Sequence, residues 1–368
     1  MKKSLVLLLV LAMSLFAFVG CTKEQPQVET PQTEEPKVEE PAAEEPEEEP
    51  AAEEPLADDE VKTGLAVVSS IQKSRDAGEN DGAAQTDSVI VALTIDKDGK
   101  IVQTKIDTAQ TVIGFTNEGK IVPDLSTVYK SKQELKEEYG MGRVSSIDKE
   151  WYEQANALAE YVKGKTIEEV KSIAVDESGV PTEADLVSSV TIKINSYVEA
   201  IEKAAANAQN LGAKASDNLG LAVTTKISKS KDATADAEGL AQAYSTYTAA
   251  TFDSEGRVTS SIIDASQSNV NFDATGKITT DLSVAPITKV ELGEDYGMKR
   301  ASAIGREWYE QADAFSEYIV GKTVEEIKGI SVDEGGYPTD EDLVSSVTVG
   351  IIDIKDNIEK AFVNANSN

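Results

Sequence analysis

The second half of this chain repeats the first. From Thr94 onward the later copy follows the earlier at a constant offset of 157 residues, and Tyr139–Thr191 against Tyr296–Thr348 gives 35 identities in 53 positions without a gap. Earlier parts match more loosely: Gly64-Leu65-Ala66-Val67 recurs as Gly220-Leu221-Ala222-Val223. A unit of about 150 residues is far longer than a solenoid repeat and has the size of a self-sufficient domain. We place the copies at 61–209 and 216–368, joined by a short Gly/Ala/Lys segment.

Each unit reads as strands and then helices. Ser88–Asp96 and Lys100–Asp107 alternate apolar and polar residues around Lys97-Asp98-Gly99, a hairpin turn, and Gln110–Phe115 and Lys120–Val122 flank a second turn at Asn117-Glu118-Gly119. Within Lys149–Lys163 the residues Trp151, Ala155, Leu158 and Val162 share one helical face. Thr166 and Glu169 form a capping box ahead of Ile167, Val170 and Ile173. A last helix near Ser196–Gln209 should bury Val198, Ile201 and Ala205. This order predicts an α+β class, two tandem copies of antiparallel hairpins followed by helices.

Absences narrow the chemistry. The chain has no histidine, and its single cysteine is Cys21. That rules out a disulfide, a zinc site of nitrogen and sulfur ligands, a haem held by histidine or cysteine, and an iron–sulfur cluster, so no metal is expected. Hydrolysis by a histidine-based arrangement goes with them. Redox chemistry would need a bound organic cofactor. The net charge is -31, and 16 acidic against 2 basic residues lie between Thr22 and Glu60. No stretch of the repeats gathers Lys or Arg into a patch, so nucleic acid is not an expected partner.

Lys2 and Lys3 precede an apolar run, Leu5–Val19, of signal-peptide length and short for a membrane span. Phe18-Val19-Gly20-Cys21 resembles the lipobox of bacterial lipoproteins. The resemblance implies removal of residues 1–20 and acylation of Cys21, by diacylglycerol and palmitate, as a lipid anchor in the membrane. An ordinary signal peptide and a single-pass anchor are the alternatives. Seven of the eleven prolines lie between residues 22 and 60, five of them on a five-residue beat from Pro26 to Pro46. Residues 21–60 thus read as a disordered acidic tether, reaching at most roughly 120 Å at 3.1 Å per residue. The expected location is the extracytoplasmic face of the cell membrane.

Identities between the copies concentrate in three places. Tyr139-Gly140-Met141 returns as Tyr296-Gly297-Met298, and Glu150–Ala155 as Glu307–Ala312. Asp185-Leu186-Val187-Ser188-Ser189-Val190-Thr191 returns unchanged as Asp342–Thr348. Tyr139, Trp151 and Tyr152 could make an aromatic wall for a planar ligand, or Trp151 could be the core anchor of its helix. The third segment places hydroxyls shortly before a helix N-terminus, a natural seat for phosphate. Here the chain resembles the FMN-binding domain of bacterial flavoproteins, found in membrane redox complexes and flavinylated lipoproteins of extracellular electron transfer. That family carries Asp-x-x-Ser-Gly-Ala-Thr before its final helix, and a flavin transferase links the FMN phosphate to the threonine. Asp185, Ser188 and Thr191 match in the first copy, and Asp342, Ser345 and Thr348 in the second. Ser189 and Ser346 replace the glycine, and Val190 and Val347 the alanine. Both changes add bulk, and the glycine is where backbone freedom matters most.

The resemblance implies FMN as cofactor, covalent or noncovalent, with a flavin transferase and a membrane electron donor as partners. The chain would then be a tethered electron carrier rather than an enzyme with its own substrate. In the plainer alternative Ser188 and Ser189 end a strand, Thr191 points into it, and the protein is a noncatalytic surface lipoprotein that binds a partner or small ligand without flavin. A carboxylate-pair glycosidase is the third reading, with no pair singled out.

Overall fold

A computed structural model describes residues 56–367; the signal segment, Cys21 and nearly all of the acidic run lie outside the described residues. Each repeat opens with three long antiparallel strands in sequence order: β1 (Lys62–Ser70), β2 (Gly82–Ile95) and β3 (Ile101–Phe115) in the first. The Lys97-Asp98-Gly99 turn joins β2 to β3 with Gly99 at φ 74°, a conformation suited to glycine. The second hairpin is weaker than the sequence suggests. Strand β3 runs unbroken to Phe115, and Lys120–Val122 contributes one isolated bridge, Phe115 to Ile121. Pro123 follows at once and has no N–H to extend a ladder.

The first repeat then spends a two-residue strand on its neighbour. β4 (Val128–Tyr129) pairs with β5 (Asn218–Lys226), which leads the second sheet of β5, β6 (Gly239–Phe252) and β7 (Val258–Phe272). The matching residues of the second repeat are Ala285 and Pro286, which form no strand. The fold is α+β, with helices after the strands in both repeats. The first repeat has α1 (Lys132–Leu135), α2 (Trp151–Tyr161), α3 (Ile167–Lys171), α4 (Ala184–Val187) and α5 (Asn195–Ala206). Their counterparts are α6 (Lys289–Leu292), α7 (Trp308–Ile319), α8 (Val324–Lys328), α9 (Glu341–Val344) and α10 (Ile352–Ala365). The box of Thr166 and Glu169 caps α3 as expected.

Strand alternation sorts the cores. Val89, Val91 and Leu93 of β2 face α2 and α5, where Trp151, Ala155, Leu158 and Val162 are all buried. The residues between them, Ile90 and Ala92, face the other sheet with Leu219, Leu221, Val223 and Tyr247. The layers therefore run helix, sheet, sheet, helix. The closing helix turns slightly from its expected face: Tyr197, Ala200, Ile201 and Ala204 are buried, with Val198 and Ala205 at the border. Tyr197 draws that side inward by accepting the Trp151 indole N–H at 3.0 Å.

The two repeats pack on each other through a shared apolar layer. Each sheet has two apolar faces and its own helices cover one, so the hydrophobic effect drives the other against the second copy. The contact is reciprocal. Phe115 stacks on Phe272 with centroids 4.3 Å apart and planes 7° apart. Ala77 N–H donates to Gly276 O as Ala233 N–H does to Gly119 O, both at 2.8 Å. Asp76 accepts from Ile278 N–H at 2.8 Å and Asp232 from Ile121 N–H at 2.9 Å. The two repeats meet as a covalently linked pseudo-twofold dimer.

Candidate functional site

Thr191 and Thr348 occupy equivalent, half-buried positions four residues before the closing helices α5 and α10. Each is held by a glutamine from the Trp-led helix. Thr191 N–H and Oγ1–H both donate to Gln154 Oε1, at 2.8 and 3.2 Å, and Thr348 repeats this with Gln311 at 2.8 and 3.1 Å. Both glutamines are fully buried. The amide orientation is set from behind: Gln154 Nε2 donates to Lys149 O at 3.0 Å and Ser145 Oγ at 3.1 Å. A hydroxyl whose proton points inward to the amide keeps its lone pairs for the open side.

The rest of the shared heptapeptide forms a turn of helix rather than a strand end. Asp185 and Asp342 lie exposed in the first turns of α4 and α9, and Ser188 and Ser345 are exposed C-caps of those helices. Among the described residues no hydrogen bond joins either aspartate or either serine to the threonines. Ser189 and Ser346 have negative φ, so the family glycine's freedom is not required of them. Their hydroxyls bond back to Leu186 O at 3.3 Å and Leu343 O at 3.2 Å. The closing helices start on Ile194 and Ile351 with no side-chain cap, which leaves first-turn N–H donors unspent.

Beside Thr348 lies an open cavity of about 440 Å³, within the range of cofactor pockets. Met298, Ser302 and Val347 line it, and Tyr337, 48% exposed, supplies an aromatic face. The first repeat has Val180 at the position of Tyr337. Gln154, Gln311 and Tyr337 carry no role in the sequence reading. A glutamine three residues after Trp151, on the apolar face of an amphipathic helix, was the visible signal for the first pair. The mismatch of Val180 with Tyr337, inside a stretch that the two copies otherwise largely share, was the signal for the last.

The proposed aromatic wall is already filled from within. Trp151 is 2% exposed and belongs to the core. Lys132 Nζ sits 4.5 Å from the Tyr139 ring centroid and 5.3 Å from that of Trp151. In the second repeat Lys289 Nζ is within 4.8 Å of three rings, Tyr244, Tyr296 and Trp308, and donates to the Tyr244 hydroxyl at 3.0 Å. Burial pushes the Lys289 ammonium down to about 8, while the ring faces favour its charged form. Tyr152 turns away and donates to Glu137 at 3.0 Å. Gly140, at φ 74°, ends a turn whose Met141 N–H is fixed by Glu150 at 2.8 Å.

No protein-family model and no solved structure matches the chain. A stretch of 41 residues is 49% identical to the chlorophenol reductase of Desulfitobacterium hafniense, covering 11% of this chain and 12% of that protein. The chain thus spans about one eighth of the curated relative it matches. Among the described residues no helix is long and apolar enough to cross a membrane.

Proposed function

We propose that this protein is a lipid-anchored extracytoplasmic flavoprotein that carries electrons on FMN seated beside Thr348, with Thr191 as the lesser site. The observation that carries the reading is the cavity of about 440 Å³ at Thr348, where a half-buried, amide-oriented hydroxyl meets an exposed aromatic face. Unspent N–H groups at the start of α10 are the donors a phosphate would use. Thr348 would hold the phosphate, covalently or by hydrogen bonds, and Tyr337 would stack on the ring. Flavin supplies the one- and two-electron chemistry; this chain would supply position and phosphate contacts. The short likeness to a reductase supports a redox setting. Acyl chains on Cys21 would anchor the chain, and residues 21–60 would let the repeats reach between a membrane donor and an outside acceptor.

Absorption spectra and intact mass of protein from a host possessing a flavin transferase test this. Flavin bands with a mass gain of one FMN less one water, lost in Thr348→Ala, are expected. Colourless, unmodified protein that also fails to take up FMN on soaking would sink the reading.

A further inference from the structure

The junction between the repeats is built twice, and the two versions differ. Each carries a reciprocal ion pair: Lys203 with Glu291 on one side, Lys360 with Glu134 at 2.8 Å on the other. On the second side, where β3 faces β5 and α10, there is a cavity of about 820 Å³. Its apolar lining includes Ile106, Leu221, Val223 and Val363, and its polar lining includes Lys105, Gln133, Lys136 and Asn156. The positions 157 residues later hold Ile262, Val290, Gly293 and Asp313, without a cation. Ile262 packs into the apolar layer between the sheets. At one junction this position packs a hydrocarbon between the sheets; at the other it turns an ammonium toward a cavity.

Two features of that cavity are costly without a ligand. Lys105 is half-buried, and burial pushes its ammonium below the usual range. Its partner is a single backbone oxygen, Asn364 O at 3.0 Å, although an ammonium has three donors. Among the described residues Lys105 forms no ion pair, although the chain carries a net charge of -31. Lys136 has φ 47° and ψ -119°, a conformation that glycine adopts and other residues avoid. Its counterpart Gly293 has almost the same angles, φ 51° and ψ -124°. The first repeat thus accepts backbone strain to put a lysine side chain at the cavity. Of the five carboxyl side chains that line the cavity, Glu134 is paired with Lys360, Glu359 with Lys328 at 2.7 Å and Glu160 with Lys163 at 3.9 Å. Asp107 accepts the N–H groups of Thr108 and Gln133 and burial pushes its carboxyl up to about 7, which leaves Asp356 against the two lysines.

We propose that this cavity binds a small organic acid, an apolar body bearing one carboxylate, with Lys105 and Lys136 receiving the carboxylate and Ile106, Leu221 and Val223 holding the body. The site owes nothing to flavin and uses none of the threonine machinery.

Calorimetric titration of the full-length protein with decanoate and with 3-phenylpropionate tests it and separates an aliphatic from an aromatic body. Saturable binding of one acid per chain is expected, weakened about ten-fold in both Lys105→Ile and Lys136→Gly, the residues of the other junction. Lys136→Gly should melt a few degrees higher than the parent, because glycine relieves the strained backbone, so its lost affinity cannot come from unfolding. Binding of neither acid, or a loss below about five-fold in either variant, overturns the proposal. Flavin content plays no part in the readout, so failure here leaves the flavin reading standing.

Discussion

The threonine seats of the two repeats are near copies, while their surroundings have diverged. Thr191 and Thr348 face the same buried amide with matching distances. Around them, the second repeat has Tyr337 where the first has Val180, and it closes a third ring, Tyr244, over its caged lysine where the first has Asp87. Asp87 instead pairs with Lys73 at 2.9 Å at the surface. Lys289 is 4% exposed in consequence, and Lys132 stays half-buried. The junctions diverge in the opposite sense, with the first repeat supplying the cations. The two frames match, and the differences gather at two cavities, one within the second repeat and one between the repeats.

The largest test of the shared frame is Phe115→Ala against Phe272→Ala. Both rings are fully buried and stacked on each other across the pseudo-twofold, so each variant should lose about 3–5 kcal/mol by chemical denaturation. The double variant should lose much less than the sum, because the first truncation already removes the stack. Clearly unequal single losses would break the equivalence of the halves.

A second test uses the pair Asp107 and Asp264. Burial pushes both carboxyls up to about 7, although Asp107 accepts Thr108 N–H at 2.7 Å and Gln133 N–H at 3.1 Å, and Asp264 does the same with Ala265 and Val290. The unfolded chain releases these protons near pH 4, whereas the folded protein keeps them until about pH 7. Their contribution to stability is therefore complete below pH 4 and is lost as pH rises through 7. At about 1.4 kcal/mol per pH unit of difference, each aspartate should remove roughly 2–4 kcal/mol between pH 4 and pH 8. Asp107→Asn and Asp264→Asn should each flatten the profile of denaturation midpoint against pH by about half, the amide staying neutral throughout. A profile that keeps its slope in either variant would refute the assignment.

The smallest effect sharpens the contrast at the threonine seats. If Tyr337 stacks on flavin, Tyr337→Val should weaken FMN binding to the unmodified protein by roughly five-fold, about 1 kcal/mol for one aromatic contact. Fluorescence titration reads this directly. An unchanged affinity would remove Tyr337 from the site and with it the advantage of the second repeat.

Local pattern was enough for much of the architecture. The Lys97-Asp98-Gly99 turn, the apolar face of Trp151, Ala155, Leu158 and Val162, and the Thr166 cap all follow from interactions within a few residues. The weak second hairpin and the rotated closing helix did not, because Pro123 and the Tyr197–Trp151 hydrogen bond act at the next level of contact. The heptapeptide ending in Thr191 pointed to the right loop, and it omitted the glutamine that grips it 37 residues upstream.

By itself the sequence determined the duplication, the α+β order and the absence of histidine or folded-region cysteine chemistry, all of which depend on residue identity and short-range period. Tertiary structure alone decided that the two sheets share one inner layer. Alternation along β2 says only that both faces are apolar, and not what covers them. It also decided where the junction cavity lies, since that void forms between Lys105 and Ile106 of one repeat and Leu221, Val223 and Val363 of the other, more than a hundred residues away, and no local spacing encodes that distance.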